Sequence, residues 1–217
     1  MKRVYLFAGH YGSGKTNIAV NLALQLAAQG KDVKIADLDV VNPYFRTKDS
    51  AEDLARAGVE LISPAFANSN VDLPALPQEI YSLVQNTSFY AIMDIGGDER
   101  GALALGRYRP YILEENNYEM VFVANFFRPL TRTAEEAIEV MREIEGAGGI
   151  AFTAIVNNSN LGEETTAQDI LSTEEEVNKL CALTGLPLLF TSVKESLAPR
   201  FDAQCIMPLK LQKKIID

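Results

Sequence analysis

Two hydrophobic periods take turns along this chain. Short, nearly continuous apolar runs, the pattern of strands buried on both faces, occur at Val4–Ala8, Val33–Ala36, Val59–Ile62, Phe89–Met93, Met120–Ala124, Ile150–Val156 and Leu188–Phe190. Between them the spacing changes to that of amphipathic helices. Ile18, Ala19, Leu22, Ala23, Leu26 and Ala27 share one helical face, and Gly30 closes that helix. Further helices are predicted over Ser50–Ala57 and Leu76–Gln85, within Ala102–Glu115, and over Thr133–Glu145 and Thr173–Leu183. Apolar strands separated by helices require a mostly parallel sheet covered on both sides. The expectation is therefore an α/β fold of three layers, with about seven strands and helices on both faces. No Pro/Gly/Ser-rich linker divides the chain, so residues 1–217 are read as a single domain.

The first strand and the first helix are joined by Gly9-His10-Tyr11-Gly12-Ser13-Gly14-Lys15-Thr16. This is G-x-x-x-x-G-K-[ST], the phosphate-binding P-loop, in the strand-to-helix setting that the motif needs. Its glycines let successive backbone N–H groups point at phosphate oxygens, and the helix N-terminus adds a positive dipole end. Lys15 is expected to reach the β- and γ-phosphates, and the Thr16 hydroxyl to hold Mg²⁺. The candidate nucleotide-binding residues are Gly9, Gly12, Ser13, Gly14, Lys15, Thr16 and Asn17.

In open α/β sheets, ligands bind outside the carboxyl ends of the strands. The second strand ends in Asp37-Leu38-Asp39, the fourth in Asp94-Ile95-Gly96-Gly97-Asp98 and the sixth in Asn157-Asn158. Asp94 fits a Walker B carboxylate that binds Mg²⁺ directly or through water; otherwise it only starts a turn. The two glycines after it suit a loop that approaches and senses a γ-phosphate. Asp39 is a candidate for orienting the attacking water, and Asp37 for supporting Mg²⁺ or Thr16; the alternative is that each caps its loop.

Together the P-loop, the Asp37-x-Asp39 strand end and the Asp94 strand resemble the MinD/ParA/Mrp group of P-loop ATPases, over about residues 2–195. That group includes the nitrogenase iron protein, nickel-insertion ATPases, dethiobiotin synthetase and cobyrinic acid a,c-diamide synthase. The resemblance implies a P-loop NTPase fold that binds ATP or ADP with Mg²⁺. Lys15 and Asp39 would be its catalytic residues, Thr16, Asp37 and Asp94 its metal ligands, and Asn157 its contact to the adenine base. The reading Asn157-Asn158-Ser159-Asn160 lacks the Asn-Lys-x-Asp guanine signature, so ATP is expected over GTP.

One position departs from the family. Relatives that sandwich nucleotide between two subunits carry a signature lysine just after the first P-loop glycine, and this chain has His10 there. Histidine is shorter and mostly neutral at pH 7, so it does not replace a reaching ammonium. Arg46, Arg107 and Arg128 are the alternative sources of positive charge. Asn42-Pro43-Tyr44-Phe45-Arg46 and Phe126-Phe127-Arg128-Pro129 combine aromatics with arginine, which suits a partner surface or internal packing.

Composition narrows the partners. The net charge of −9 argues against non-specific binding to DNA or an anionic membrane. The basic and partly apolar tail Leu209–Ile216 reads as a packed last helix rather than a membrane anchor. Cys181 and Cys205 have no metal-ligand spacing, and the absence of a Cys-x-x-Cys pair argues against Fe–S carriage. With no leader and no apolar run near 20 residues, the expected setting is the cytoplasm. The expected function is a nucleotide-driven switch, an ATPase acting on a protein partner and forming an ATP-dependent homodimer. The rivals are an ATP-dependent synthetase of the dethiobiotin or cobyrinic acid type and a non-catalytic nucleotide-binding adaptor.

Overall fold

Each apolar run becomes a strand whose side chains divide between two cores. In β1 (Val4–Ala8), Val4, Leu6 and Ala8 face one helical layer, while Phe7 faces the other. This is a computed structural model, and it describes residues 1–38, 47–63, 79–97 and 99–211.

The other strands are β2 (Val33–Asp37), β3 (Glu60–Ile62), β4 (Tyr90–Asp94), β5 (Tyr118–Ala124), β6 (Ala154–Asn157), β7 (Leu188–Lys194) and β8 (Ile206–Leu209). The sheet order is β3-β2-β4-β1-β5-β6-β7-β8 and all seven pairings are parallel. The helices are α1 (Lys15–Ala28), α2 (Ala51–Arg56), α3 (Glu79–Gln85), α4 (Glu99–Leu105), α5 (Arg109–Glu115), α6 (Ala134–Gly148), α7 (Ala167–Leu171) and α8 (Glu174–Thr184). α1 and α2 cover one face with Phe7, Ile35 and Val123, while α3 to α6 and α8 cover the other with Leu6, Met93 and Phe122.

The α/β architecture is as expected, with local differences. β8 is an additional strand. It sits at the sheet edge and contains Pro208, which an edge tolerates because one side needs no N–H donor. Asn21 of α1 fastens the chain just after it, accepting from Lys210 N at 2.9 Å and donating to Lys210 O at 3.0 Å. The tail therefore begins as an extended edge at Leu209; residues 212–217 lie outside the described residues. The region Ala102–Glu115 forms two helices. Pro110 has no N–H and is preorganised for a helix start, so the chain turns at Gly106–Tyr108 and begins again as α5. β6 starts at Ala154, because Ile150 and Phe152 are buried by packing without joining the ladder.

Two local devices fix the ends of the sheet. At the amino end, Arg3 pairs with Glu115 and donates to the carbonyls of Leu83, Asn86 and Phe89, tying β1 to α3 and α5. At the carboxyl end, Thr133 caps α6 by accepting from Glu136 N, and α6 closes at Gly149. The strand ends that carry the polar residues therefore face one rim.

Candidate functional site

The loop between β1 and α1 is shaped by two left-handed residues. Gly12 has φ 75° and Gly14 has φ 87°, conformations that L side chains rarely adopt. Gly14 is the N-cap of α1, and the first helical bond runs from Ile18 N to Gly14 O at 3.2 Å. Ser13 N closes the loop on His10 O at 3.1 Å. Gly9 passes so close to β5 that a Cβ there would stand 2.5 Å from Val123 O. Lys15 and Thr16 are buried at the foot of the loop, and Lys15 Nζ donates to His10 O at 3.3 Å. Asn17 is half-buried and accepts from Asn21 through both its carbonyl and its Oδ1.

The two acidic strand ends are neighbours. Asp37 of β2 lies in register with Asp94 of β4, and both are buried. Thr47, fully buried, donates its hydroxyl to Asp94 Oδ2 at 3.2 Å. Sequence reasoning passed over Thr47; its only signal was its place shortly after the Asp37-x-Asp39 strand end. Asp39, the Asn42–Arg46 segment and Asp98 lie outside the described residues.

The loop after β4 presses against the loop after β1. A Cβ on Gly97 would stand 2.8 Å from Lys15 Nζ, 2.9 Å from Tyr11 N and 3.0 Å from Tyr11 Cα. Behind it, α4 is docked equally closely, since a Cβ on Gly101 would overlap the backbone of Gly96. A displacement of Gly97 therefore meets the P-loop on one side and α4 on the other.

The third wall comes from β6. Asn157 is buried, donates to Thr173 Oγ1 at 3.1 Å, and accepts from Ser159 N and Ser159 Oγ. The next residue, Asn158, reaches the P-loop instead: its Nδ2 donates to Ser13 O at 2.6 Å, and its Oδ1 accepts from Ser192 Oγ. Asn158 was noted at the strand end but given no role, and Ser192 was not singled out from sequence; consecutive side chains at a strand end point to opposite sides, which separates Asn158 from Asn157. Arg128 lies exposed over Gly12, whereas Arg107 is exposed in the turn between α4 and α5.

Electrostatically the loop is a cationic setting. Burial holds the His10 imidazole below the ordinary histidine range, the nearby Lys15 ammonium pushes it the same way, and Glu143 opposes them. The neutral form of His10 therefore predominates at pH 7. The candidate donors are hard oxygens: the Thr16 hydroxyl in the first turn of α1 and the carboxylates of Asp37 and Asp94 at the ends of β2 and β4. That set fits Mg²⁺, which binds through one or two carboxylates plus phosphate oxygens and water. Among the described residues no group of three or more His, Cys, Asp or Glu side chains could hold a metal by itself.

Comparison with known proteins agrees with this geometry. The family described as "CobQ/CobB/MinD/ParA nucleotide binding domain" matches residues 6–189. A "Cytosolic Fe-S cluster assembly factor cfd1" from Emericella nidulans is 29% identical over 96 residues, covering 44% of this chain and 27% of that protein. Solved structures with a similar fold include the FtsY protein of Thermotoga maritima, with TM-score 0.59 and 18% identity over 97% of this chain and 66% of the other. Chloroplast FtsY from Physcomitrella patens has TM-score 0.61 and 18% identity over 94% of this chain and 63% of the other. FtsY from Elizabethkingia anophelis in complex with GDP has TM-score 0.52 and 17% identity over 97% and 60%. The chain thus spans roughly a quarter of the curated relative in the matched stretch, and less than two thirds to about two thirds of these structures. The chain belongs to the CobQ/CobB/MinD/ParA family of nucleotide-binding domains, in the P-loop NTPase fold.

Proposed function

Proceeding from that membership, we propose that this protein is a Mg²⁺-dependent ATPase that acts as a nucleotide-driven switch on a protein partner in the cytoplasm. The observation that carries the reading is the position of Gly97, where even an added methyl group would collide with both Lys15 Nζ and the Tyr11 backbone. A residue there is placed to respond to whatever Lys15 holds.

In this reading, Gly9 and Gly12 to Gly14 present backbone N–H groups to the phosphates, and Lys15 spans the β- and γ-phosphates. Thr16, Asp94 and Asp37 would hold Mg²⁺, which when bound neutralises charge on the phosphate oxygens. Thr47 keeps the Asp94 carboxylate oriented through its hydroxyl. Asp39 orients the attacking water. Asn157 contacts adenine through the amide hydrogen that Thr173 does not take. Loss of the γ-phosphate relaxes the Gly96-Gly97 turn, and the tight Gly96–Gly101 contact passes that change to α4. ATP also brings two copies of the chain together. Among the described residues no helix is long and apolar enough to cross a membrane.

Calorimetric titration with MgATP tests the assignment. Lys15→Ala should abolish measurable ATP binding and hydrolysis while leaving the melting temperature near wild type, since Lys15 belongs to the loop rather than to the apolar core. Unchanged affinity would overturn the reading. Turnover that demands a small carboxylic acid would mark a synthetase, and tight binding without turnover would mark an adaptor.

A further inference from the structure

Arg128 follows β5, far in sequence from the P-loop, yet its side chain lies on that loop. A Cβ placed on Gly12 would stand 3.5 Å from Arg128 Nε, 3.7 Å from its Cζ and 3.8 Å from its Cδ. A side chain at position 12 would be in van der Waals contact with the guanidinium, which thus stands beside the loop at Gly12 with room for about one methyl group between them, and Arg128 is exposed to solvent. Its side chain makes no ion pair or hydrogen bond among the described residues. A cation beside a loop built to present N–H groups, with Lys15 at its foot, has an electrostatic reason to stay only if an anion joins it.

The turn that carries Arg128 is firmly built. Asn125 is buried; its Oδ1 accepts from Phe127 N at 3.1 Å, and its carbonyl accepts from Arg128 N at 3.1 Å and from Thr131 Oγ1 at 2.8 Å. Ser159 Oγ accepts from Phe126 N at 3.0 Å, which ties the turn to the loop after β6. Leu130 takes φ 65°, a strained conformation for a side chain, while remaining exposed. The backbone accepts strain here without burying the leucine, so packing of Leu130 does not account for the turn.

We propose that Arg128 is a phosphate-contacting residue, supplied by the same chain, that pairs with the polyphosphate of a nucleotide bound in the P-loop. This rests on the nucleotide-binding reading above. It supplies positive charge where His10 cannot, and it does so without a second subunit. The planar fork of the guanidinium suits phosphate oxygens in two-point contact.

The test is titration of MgADP into wild type, Arg128→Ala, Arg128→Lys and Lys15→Ala at about 0.05 M and about 0.5 M salt. Arg128→Ala should weaken binding about tenfold at low salt, the loss expected for a charge-assisted contact. The gap should narrow at high salt, because an exposed ionic contact is screened. Arg128→Lys should fall between the two, keeping charge and losing the fork. Melting temperatures should match, since Arg128 is exposed. Equal affinity of Arg128→Ala and wild type, or a loss that salt does not narrow, overturns the inference and leaves only packing on the loop. If wild type binds MgADP and Lys15→Ala does not, such a result removes Arg128 alone; if wild type does not bind, both readings fall.

Discussion

Gly97→Ala puts the contact between the two phosphate-side loops under direct strain. The added methyl group would stand 2.8 Å from Lys15 Nζ, 2.9 Å from Tyr11 N and 3.0 Å from Tyr11 Cα. Comfortable carbon contacts begin at about 3.5 Å, so the surfaces must part by roughly half an ångström. The lysine ammonium ends a flexible chain and can swing aside. The Tyr11 backbone cannot, because Ser13 N–H···O=C His10 and the Gly9 approach to Val123 hold the loop on both sides. Overpacking of this kind costs about 1–3 kcal/mol. For a chain of this size that is a melting-temperature fall of about 2–12 °C. The functional effect should be larger than the structural one, since misplacing a phosphate-binding group by about an ångström costs on the order of 10²-fold in rate. The assay is thermal unfolding beside single-turnover ATP hydrolysis. A variant that melts and turns over like wild type would show that the two loops separate freely and would refute the coupling. A lowered melting point with unchanged turnover would make the contact structural only.

Other substitutions probe different parts of the same argument. Gly146 lies exposed inside α6 with open space where a Cβ would go, so Gly146→Ala should stabilise by about 0.5–1 kcal/mol, read as a rise in melting temperature; a fall would contradict the helix assignment. His10 is the one histidine of the chain, so a proton NMR titration reads it without overlap; its midpoint should lie below about 6.5 in the nucleotide-free protein and rise when MgADP binds. Because its folded value is lowered, His10 contributes stability that is present above about pH 6.5 and is lost as pH falls through the folded value; a midpoint above the ordinary value would reverse that sign. Asp39→Ala should lower turnover by roughly 10²-fold while ATP binding survives, and light scattering should then find a dimer with ATP and a monomer with ADP. A monomer in both states would remove the sandwich dimer from the mechanism.

The alternation of short apolar runs with amphipathic stretches was enough to read an α/β sheet covered on both faces, and G-x-x-x-x-G-K-[ST] between a strand and a helix was enough to read the phosphate loop. Both are local properties. A strand buried on both faces must be apolar throughout, a helix must repeat near every fourth residue, and a loop that turns through left-handed conformations needs glycine at Gly12 and Gly14. Elements whose signal depends on their surroundings were not legible. β8 is a short edge strand with a proline, and only its partner β7 makes it a strand. The helix break at Gly106–Tyr108 was hidden inside a continuous helical pattern. The walls of the candidate site were decided by the tertiary structure alone. Asn158, rather than Asn157, holds Ser13 across 145 positions of sequence, and Thr47 reaches Asp94 across 47. Arg128 stands beside Gly12, and Gly97 beside Lys15 and Tyr11 with no room for a side chain. These contacts follow from the strand order, which sets β4 and β5 on either side of β1 and so brings their loops to the P-loop. Periodicity records which way a residue faces within its own element. It carries no information about which element lies alongside, because that choice is made by packing among all the faces at once.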